Sequence, residues 1–233
     1  MKKIVIILTL LPALVFCGEL DDLRKMNKAY LEANSFSMKI SIASYRNEKD
    51  SKALFTFTGE VKKIKSAYFT EMNGRTSLNN EEYSLLVDEH NKVIVISKAA
   101  RQRKENKISE LIMNDSLFSA GFSYKFILNT ADKKVIEVTA TEPALWENKK
   151  MVITLNAKNF TLQEIVVYPK TNKDEEEENS FEKMVIRYDN VELNKVIPGS
   201  DFSEKKYVDI KKKNITATGK YAQYKVIDQL KKS

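Results

Sequence analysis

Hydrophobic and polar residues alternate one by one in the segment that follows Asn34. Phe36, Met38, Ile40 and Ile42 fall on one side of an extended chain, and serines and a lysine fall on the other. A period of two residues is typical of a β-strand with one buried face. The pattern therefore predicts a first strand whose apolar side faces a core.

The same alternation returns along most of the chain. Polar links that favour turns separate the apolar runs, so the strands follow one another as a meander. The predicted strands cover residues 35–43, 53–61, 67–72, 83–88, 93–97, 124–128, 135–141, 151–155, 162–168 and 181–188. Because short links favour antiparallel pairing, we expect a mainly β fold with a single antiparallel sheet.

Two segments have the apolar spacing of amphipathic helices, residues 20–33 and residues 107–118. A helix beside a sheet has to bury its apolar stripe, so we expect both helices on the concave face of a strongly curved sheet. The second helix interrupts the meander. It is either a lid over a binding surface or a plain helix packed on the core.

The C-terminal tail, residues 208–233, is basic. Tyr221, Tyr224 and Leu230 can share one helical face, which allows a helix that touches a membrane or a partner. The alternative is a terminal helix docked on its own domain. We therefore divide the chain into a leader at 1–17, one domain at 18–207 and this tail.

Residues 1–17 have a charged tip followed by an apolar run that is too short to span a bilayer comfortably. This pattern is typical of a bacterial secretory signal, and cleavage after Cys17 would start the mature chain at Gly18. We therefore expect the periplasm as its location. The alternative is lipidation of Cys17 and anchoring in a membrane, which the bulky Phe16 just before it disfavours.

Residues that could carry catalysis or hold a metal are sparse. His90 is the one histidine of the 233 residues, and it lies in a charged turn that cannot exclude water. No phosphate loop, metal-ligand spacing or nucleophile motif occurs, so we expect no enzyme activity, cofactor or metal. The formal net charge of +7 is spread over interleaved acidic and basic residues, which does not indicate a nucleic-acid partner.

Several short motifs follow one another in a recognisable order. After the leader and first helix come Asn34-Ser-Phe36, Phe57-Thr-Gly59-Glu-Val61, Leu85-Leu-Val-Asp88, Lys92-Val-Ile-Val95, and closing strands within 151–168 and 190–202. This order resembles the periplasmic lipoprotein carriers of the LolA type. The resemblance implies an open β half-barrel whose helices cover an apolar cavity for acyl chains. It also implies a monomer that exchanges lipoproteins or other lipid with a membrane-bound donor or acceptor protein.

Lys65-Ser66 stands where that family commonly has an Arg-Pro pair, whose arginine latches the lid. Lys65 is therefore the latch candidate, although lysine lacks the bidentate fork of arginine. A cavity without a carrier cycle is the alternative function. The protein would then be a periplasmic sensor or protein-interaction module of the same fold.

The candidate lipid-binding residues are those that such a fold would turn toward its cavity. They are Phe36, Met38, Ile40, Ile42, Phe55, Phe57, Val61, Phe69, Leu86, Ile94 and Leu111. Gly59 shares the face of Phe55 and Phe57, and its missing side chain would let a ligand or lid approach closely. The alternative is that the same apolar side chains fill a dry core.

Overall fold

The computed structural model describes residues 18–99, 121–170, 181–211 and 214–230. In this part of the chain, the helix α1 (Gly18–Glu32) precedes a series of strands. The strands are β1 (Ser35–Tyr45), β2 (Phe55–Ile64), β3 (Ala67–Met72), β4 (Arg75–Asn79), β5 (Tyr83–Asp88), β6 (Val93–Lys98), β7 (Phe122–Asn129), β8 (Lys133–Ala140), β9 (Asn148–Asn156), β10 (Leu162–Pro169), β11 (Lys183–Leu193), β12 (Val208–Lys211), β13 (Asn214–Ala217) and β14 (Lys225–Asp228).

A 12-stranded sheet contains all the described strands except the hairpin of β12 and β13. Its order is β14-β6-β5-β4-β3-β2-β1-β11-β10-β9-β8-β7, and neighbouring strands are antiparallel except that β14 runs parallel to β6. The sheet is strongly curved and does not close on itself. The predicted fold class, a mainly β open half-barrel, is confirmed.

Each strand predicted from the alternating pattern is present, with bounds that differ by a few residues. The sequence did not predict β4, because Leu78 is the only large apolar residue in Arg-Thr-Ser-Leu-Asn. This strand forms because β3 and β5 supply backbone partners on both sides. Leu78 itself is fully buried.

The described residues form a first core between α1 and one face of the sheet, which we call the helix-side face. Leu23, Met26 and Tyr30 of the helix pack there against strand residues. The strand residues include Phe36, Met38, Ile40, Val61, Ile136, Ile153, Leu155, Leu162 and Tyr188. The first predicted helix and its apolar stripe are confirmed, and the second, at 107–118, lies outside the described residues.

A second core lies on the opposite face, over β3 to β6. Phe69 and Ile94 contribute to it from the sheet, and Phe202, Tyr207 and Tyr221 cover it from the C-terminal part of the chain. Residues that pair across neighbouring strands lie on the same face of the sheet. Lys62 of β2 pairs with Phe69 of β3, and the successive partners on β4, β5 and β6 are Leu78, Leu85 and Ile96, so all of them lie on this opposite face. The sheet therefore buries different faces at its two ends.

The helical interpretation of the tail is wrong. Residues 208–211 and 214–230 form two short strands, a single 3-10 turn and β14. The backbone of β14 binds the edge of β6, where the Lys225 N–H donates to the Lys92 carbonyl at 2.9 Å and the Gln229 N–H to the Ile96 carbonyl at 2.8 Å. An unpaired edge favours such strand addition over a helix.

Buried polar contacts fix α1 on the sheet. The Asp22 carboxylate, 3% exposed, binds the ammonium groups of Lys134, at the start of β8, and Lys25. The Tyr30 hydroxyl accepts the Leu162 N–H at 3.1 Å, and burial raises the pKa of Tyr30 to about 12. No helix among the described residues has the length and apolarity needed to cross a membrane.

Gly59 marks an unusually close approach of β2 and β3. A Cβ atom at this position would lie 2.3 Å from the Glu71 carbonyl oxygen and 3.2 Å from the Met72 Cα atom. We expected a ligand or lid to approach Gly59 closely, but the backbone of β3 occupies that space. The missing side chain permits the tight bend of the sheet.

Candidate functional site

The helix covers one end of the helix-side face at β1 and β10, and its first residue, Gly18, reaches Phe126 in β7. Its contacts reach Phe36 in β1, Lys134 in β8 and Leu162 in β10, each at the start of its strand. In an antiparallel sheet these starts lie at the same end as the last residues of β2, β9 and β11. The other end of this face on β1, β2 and β11, which we call the open half, has no helix over it among the described residues.

The floor of the open half is mainly apolar, and its large side chains are partly buried. Register places Ile42 opposite Phe57 and opposite Ile186, so these three side chains share the helix-side face. The next row in the same direction contains Ser44, Phe55 and Met184. Ile42, Met151, Met184 and Ile186 border the first core without being fully buried.

Three phenylalanines form the rim of the open half. The ring centroids of Phe55 and Phe57 are 5.1 Å apart, and those of Phe55 and Phe181 are 6.5 Å apart with nearly perpendicular planes. Phe55 is 38% exposed and the preceding Leu54 is 41% exposed. Such a cluster exposes apolar surface next to the core that it extends.

Lys183 holds the hairpin next to the rim in place. The ammonium group of Lys183 donates to the carbonyl oxygens of Glu48 at 2.7 Å and Asp50 at 3.1 Å, and it lies 4.3 Å from the Tyr45 ring centroid. These contacts join β11 to the hairpin that links β1 to β2. The hairpin that precedes Phe55 is thus fixed to the strand that follows Phe181.

The open half contains one polar atom of note, the Ser44 hydroxyl. Ser44 is fully buried, and its Oγ atom has no hydrogen-bond partner among the described residues. Most buried hydroxyls in folded proteins are paired, so the Ser44 hydroxyl is an exception.

The eleven predicted lipid-binding residues separate into distinct groups. Phe36, Met38, Ile40 and Val61 are buried under or beside α1, at 4% exposure or less. Ile42, Phe55 and Phe57 lie in the open half. Phe69 and Ile94 belong to the second core on the opposite face, and Leu86 lies on the helix-side face of β5, 45% exposed. Leu111 lies outside the described residues.

Lys65, the latch candidate, lies in the turn between β2 and β3. Its backbone has a positive φ of 51°, and its N–H donates to the Asn34 carbonyl at 2.7 Å. The turn therefore abuts the end of α1. The latch role itself stays a prediction.

Sequence reasoning missed Met151, Met184, Ile186 and Phe181 as neighbours of the site. Their alternation was visible in the predicted strands, but only the pairing of β11 with β1 brings Met184 and Ile186 next to Ser44 and Ile42. Sequence alone gives no register between strands so far apart in the chain.

A polar cleft of about 280 Å³ lies on the opposite face beside β1, β2 and the segment 195–201. The Lys62 ammonium group lies 3.0 Å from the Glu60 carboxylate and 3.1 Å from that of Asp201. Burial opposes the charge of Lys62, but hydrogen bonds to both carboxylates outweigh it and raise the pKa of Lys62. The charges in this cleft thus satisfy one another and fix the C-terminal segment.

Among the described residues, the groups best suited to metal binding or acid–base chemistry lie outside the open half. The described residues contain no cluster of histidine, cysteine and carboxylate side chains that could hold a metal ion. The His90 Nε2 atom lies 2.9 Å from the Asn73 carbonyl oxygen in an exposed turn. His90 follows β5, in the half of the sheet that carries the second core.

No protein-family model and no curated protein matches the chain. Solved structures do resemble it. An uncharacterised conserved protein from Thermus thermophilus has a TM-score of 0.47 at 7% identity, covering 91% of this chain and 99% of its own. The lipoprotein LppX of Mycobacterium tuberculosis has a TM-score of 0.37 at 7% identity, with 78% and 97% covered. A LolA superfamily protein from Nitrosomonas europaea has a TM-score of 0.33 at 15% identity, with 80% and 98% covered.

Proposed function

We propose that this protein binds the acyl chain of a lipoprotein or another lipid in the open half of the helix-side face. The supporting observation is the rim of Phe55, Phe57 and Phe181, a partly exposed aromatic cluster continuous with a partly buried aliphatic floor. An acyl chain laid on this floor would remove both its own surface and the phenylalanine surface from water.

The energetics suit a site with little polar chemistry. Each buried methylene contributes about 0.8 kcal/mol, so a chain of about ten methylenes offers a gross stabilisation of about 8 kcal/mol. Loss of translational and conformational freedom offsets much of this gain. The remainder is enough for reversible binding, which a carrier requires.

The leader at 1–17 supports an exported protein that works in the periplasm, where lipidated proteins have to cross an aqueous space. The proposed activity is binding or transport and not catalysis. A membrane-bound donor or acceptor would deliver or take the cargo at the open end, where α1 does not cover the face.

The test is a substitution of Phe57 by glutamate, followed by titration with a fluorescent fatty acid and a thermal melt of the same sample. We expect Phe57→Glu to lose binding by at least about tenfold while it keeps a cooperative melt, because a half-buried carboxylate can stay hydrated. Leu128→Glu is the matched control. Leu128 is 41% exposed and lies opposite Val135, on the face away from the helix.

Loss of the cooperative transition in Phe57→Glu would place Phe57 in a filled core. Phe55→Glu then decides the question, because Phe55 is exposed enough to accept the charge without unfolding. Unchanged binding in a folded Phe55→Glu, or equal losses in Leu128→Glu, would contradict the proposed site. Wild-type protein that binds no fatty acid would favour a sensor or interaction module instead.

A further inference from the structure

The unpaired hydroxyl of Ser44 lies in the apolar floor of the open half. Among the described residues it is the one buried side-chain oxygen or nitrogen without a hydrogen-bond partner. The surrounding side chains explain why. Its cross-strand neighbours are Phe55 on one side and Met184 on the other, and neither side chain can donate or accept a strong hydrogen bond.

A buried hydroxyl without a partner is unfavourable, since it has given up its hydrogen bonds to water. Replacing it by an apolar group would remove that cost. Ser44 is therefore placed at a position where the free protein gains nothing from its polarity, and a bound molecule is what could use it.

The side chains beside Ser44 are suited to displacement. Phe55 is already 38% exposed and its ring packs beside those of Phe57 and Phe181, so rotation of the Phe55 ring gives up little burial. Met184 is only partly buried, and its unbranched side chain adapts readily to a new neighbour. A chain that entered between these two would meet the hydroxyl.

We propose that Ser44 is the polar anchor of the site and donates a hydrogen bond to the acyl carbonyl or carboxylate oxygen of the bound lipid. This inference rests on the proposed function. It narrows the ligand class to amphiphiles that carry an oxygen acceptor next to the chain. It also sets the orientation, with the oxygen at the rim beside Phe55 and the chain running along Ile42 and Ile186 toward the core.

The test compares wild-type protein with Ser44→Ala for three ligands of equal chain length. Dodecanoic acid offers a free carboxylate, monododecanoyl glycerol offers an ester carbonyl, and dodecyltrimethylammonium offers no acceptor. Ser41→Ala is the matched control, because Ser41 lies on the same strand but on the opposite face. Displacement of a fluorescent fatty acid gives each affinity, and thermal melts establish that the variants fold.

We expect Ser44→Ala to bind the oxygen-bearing ligands about fivefold more weakly than wild type, the effect of one lost hydrogen bond, and to bind dodecyltrimethylammonium equally well. A loss for the acid alone or for the ester alone would identify which source of the acyl oxygen the site accepts. Equal losses for all three ligands, or no loss for any, would overturn the role of Ser44 while leaving acyl binding intact. Failure of wild type to bind any of the three would overturn the proposed function together with this inference.

Discussion

Replacing Gly59 by alanine tests the close approach of β2 and β3. The added Cβ atom would lie 2.3 Å from the Glu71 carbonyl oxygen, whereas ordinary contacts begin near 3.4 Å, so one backbone has to move by about 1 Å. The obstacle is main chain, which cannot rotate out of the way as a side chain can. The contacts at 3.1 and 3.2 Å with Met72 restrict movement in that direction as well.

The cost follows from what such a shift does to the ladder. Ladder hydrogen bonds of about 2.9 Å would lengthen to about 3.9 Å, beyond the distance at which they still count as bonds. Losing two of them costs about 2 kcal/mol. Overpacking adds about 1–3 kcal/mol. We therefore expect Gly59→Ala to lower the free energy of unfolding by about 3–5 kcal/mol.

Urea denaturation followed by circular dichroism measures this change. Thr58→Ala is the control, because Thr58 is an exposed neighbour on β2 whose replacement should cost no more than about 1 kcal/mol. The reasoning would be refuted if Gly59→Ala were no less stable than Thr58→Ala. It would also fail if a structure of the variant showed the β2–β3 spacing unchanged.

Two further predictions concern the contacts that hold α1. Asp22→Ala should lower the free energy of unfolding by about 3–5 kcal/mol, because it leaves the Lys134 ammonium group unpaired next to the core. Asp21→Ala, which removes a solvent-exposed ion pair, should cost less than about 1 kcal/mol in the same urea assay, and similar costs for the two variants would contradict the prediction. Burial raises the pKa of Tyr30 to about 12, above the ordinary value near 10. The contribution of Tyr30 to the free energy of unfolding is therefore fully present below a pH of about 10 and should be lost as the pH rises toward about 12. Tyr30→Phe should flatten this alkaline loss in unfolding midpoints measured against pH, and parallel curves for variant and wild type would speak against it.

Local pattern was sufficient to predict most of the elements. The two-residue period predicted the strands, because in a half-buried strand every second side chain has to be apolar wherever the chain pairs. The apolar face of α1 was also predictable from the sequence, since Leu23, Met26 and Tyr30 recur at helical spacing. All three are buried. Strand β4 was invisible because its formation depends on its neighbours and not on its own composition.

The sequence did not predict which face of the sheet each strand turns toward the core. Alternation tells which residues of one strand lie together, but not which of the two sets faces the same side as those of a distant strand. Phe69 and Ile94 alternate as convincingly as Phe57, yet the pairing of β2 with β3 and of β5 with β6 turns them to the opposite face. A shift of register by one residue would have reversed that outcome.

Sequence by itself thus determined that this chain forms a curved antiparallel sheet with a helix against its apolar face. Only the tertiary structure decided that the sheet buries opposite faces at its two ends, and that the tail ends in a strand along β6. The open half with Ser44 was also decided by the tertiary structure alone. Its members come from strands far apart in the chain, and what brings them together is long-range pairing, whose register no local pattern encodes.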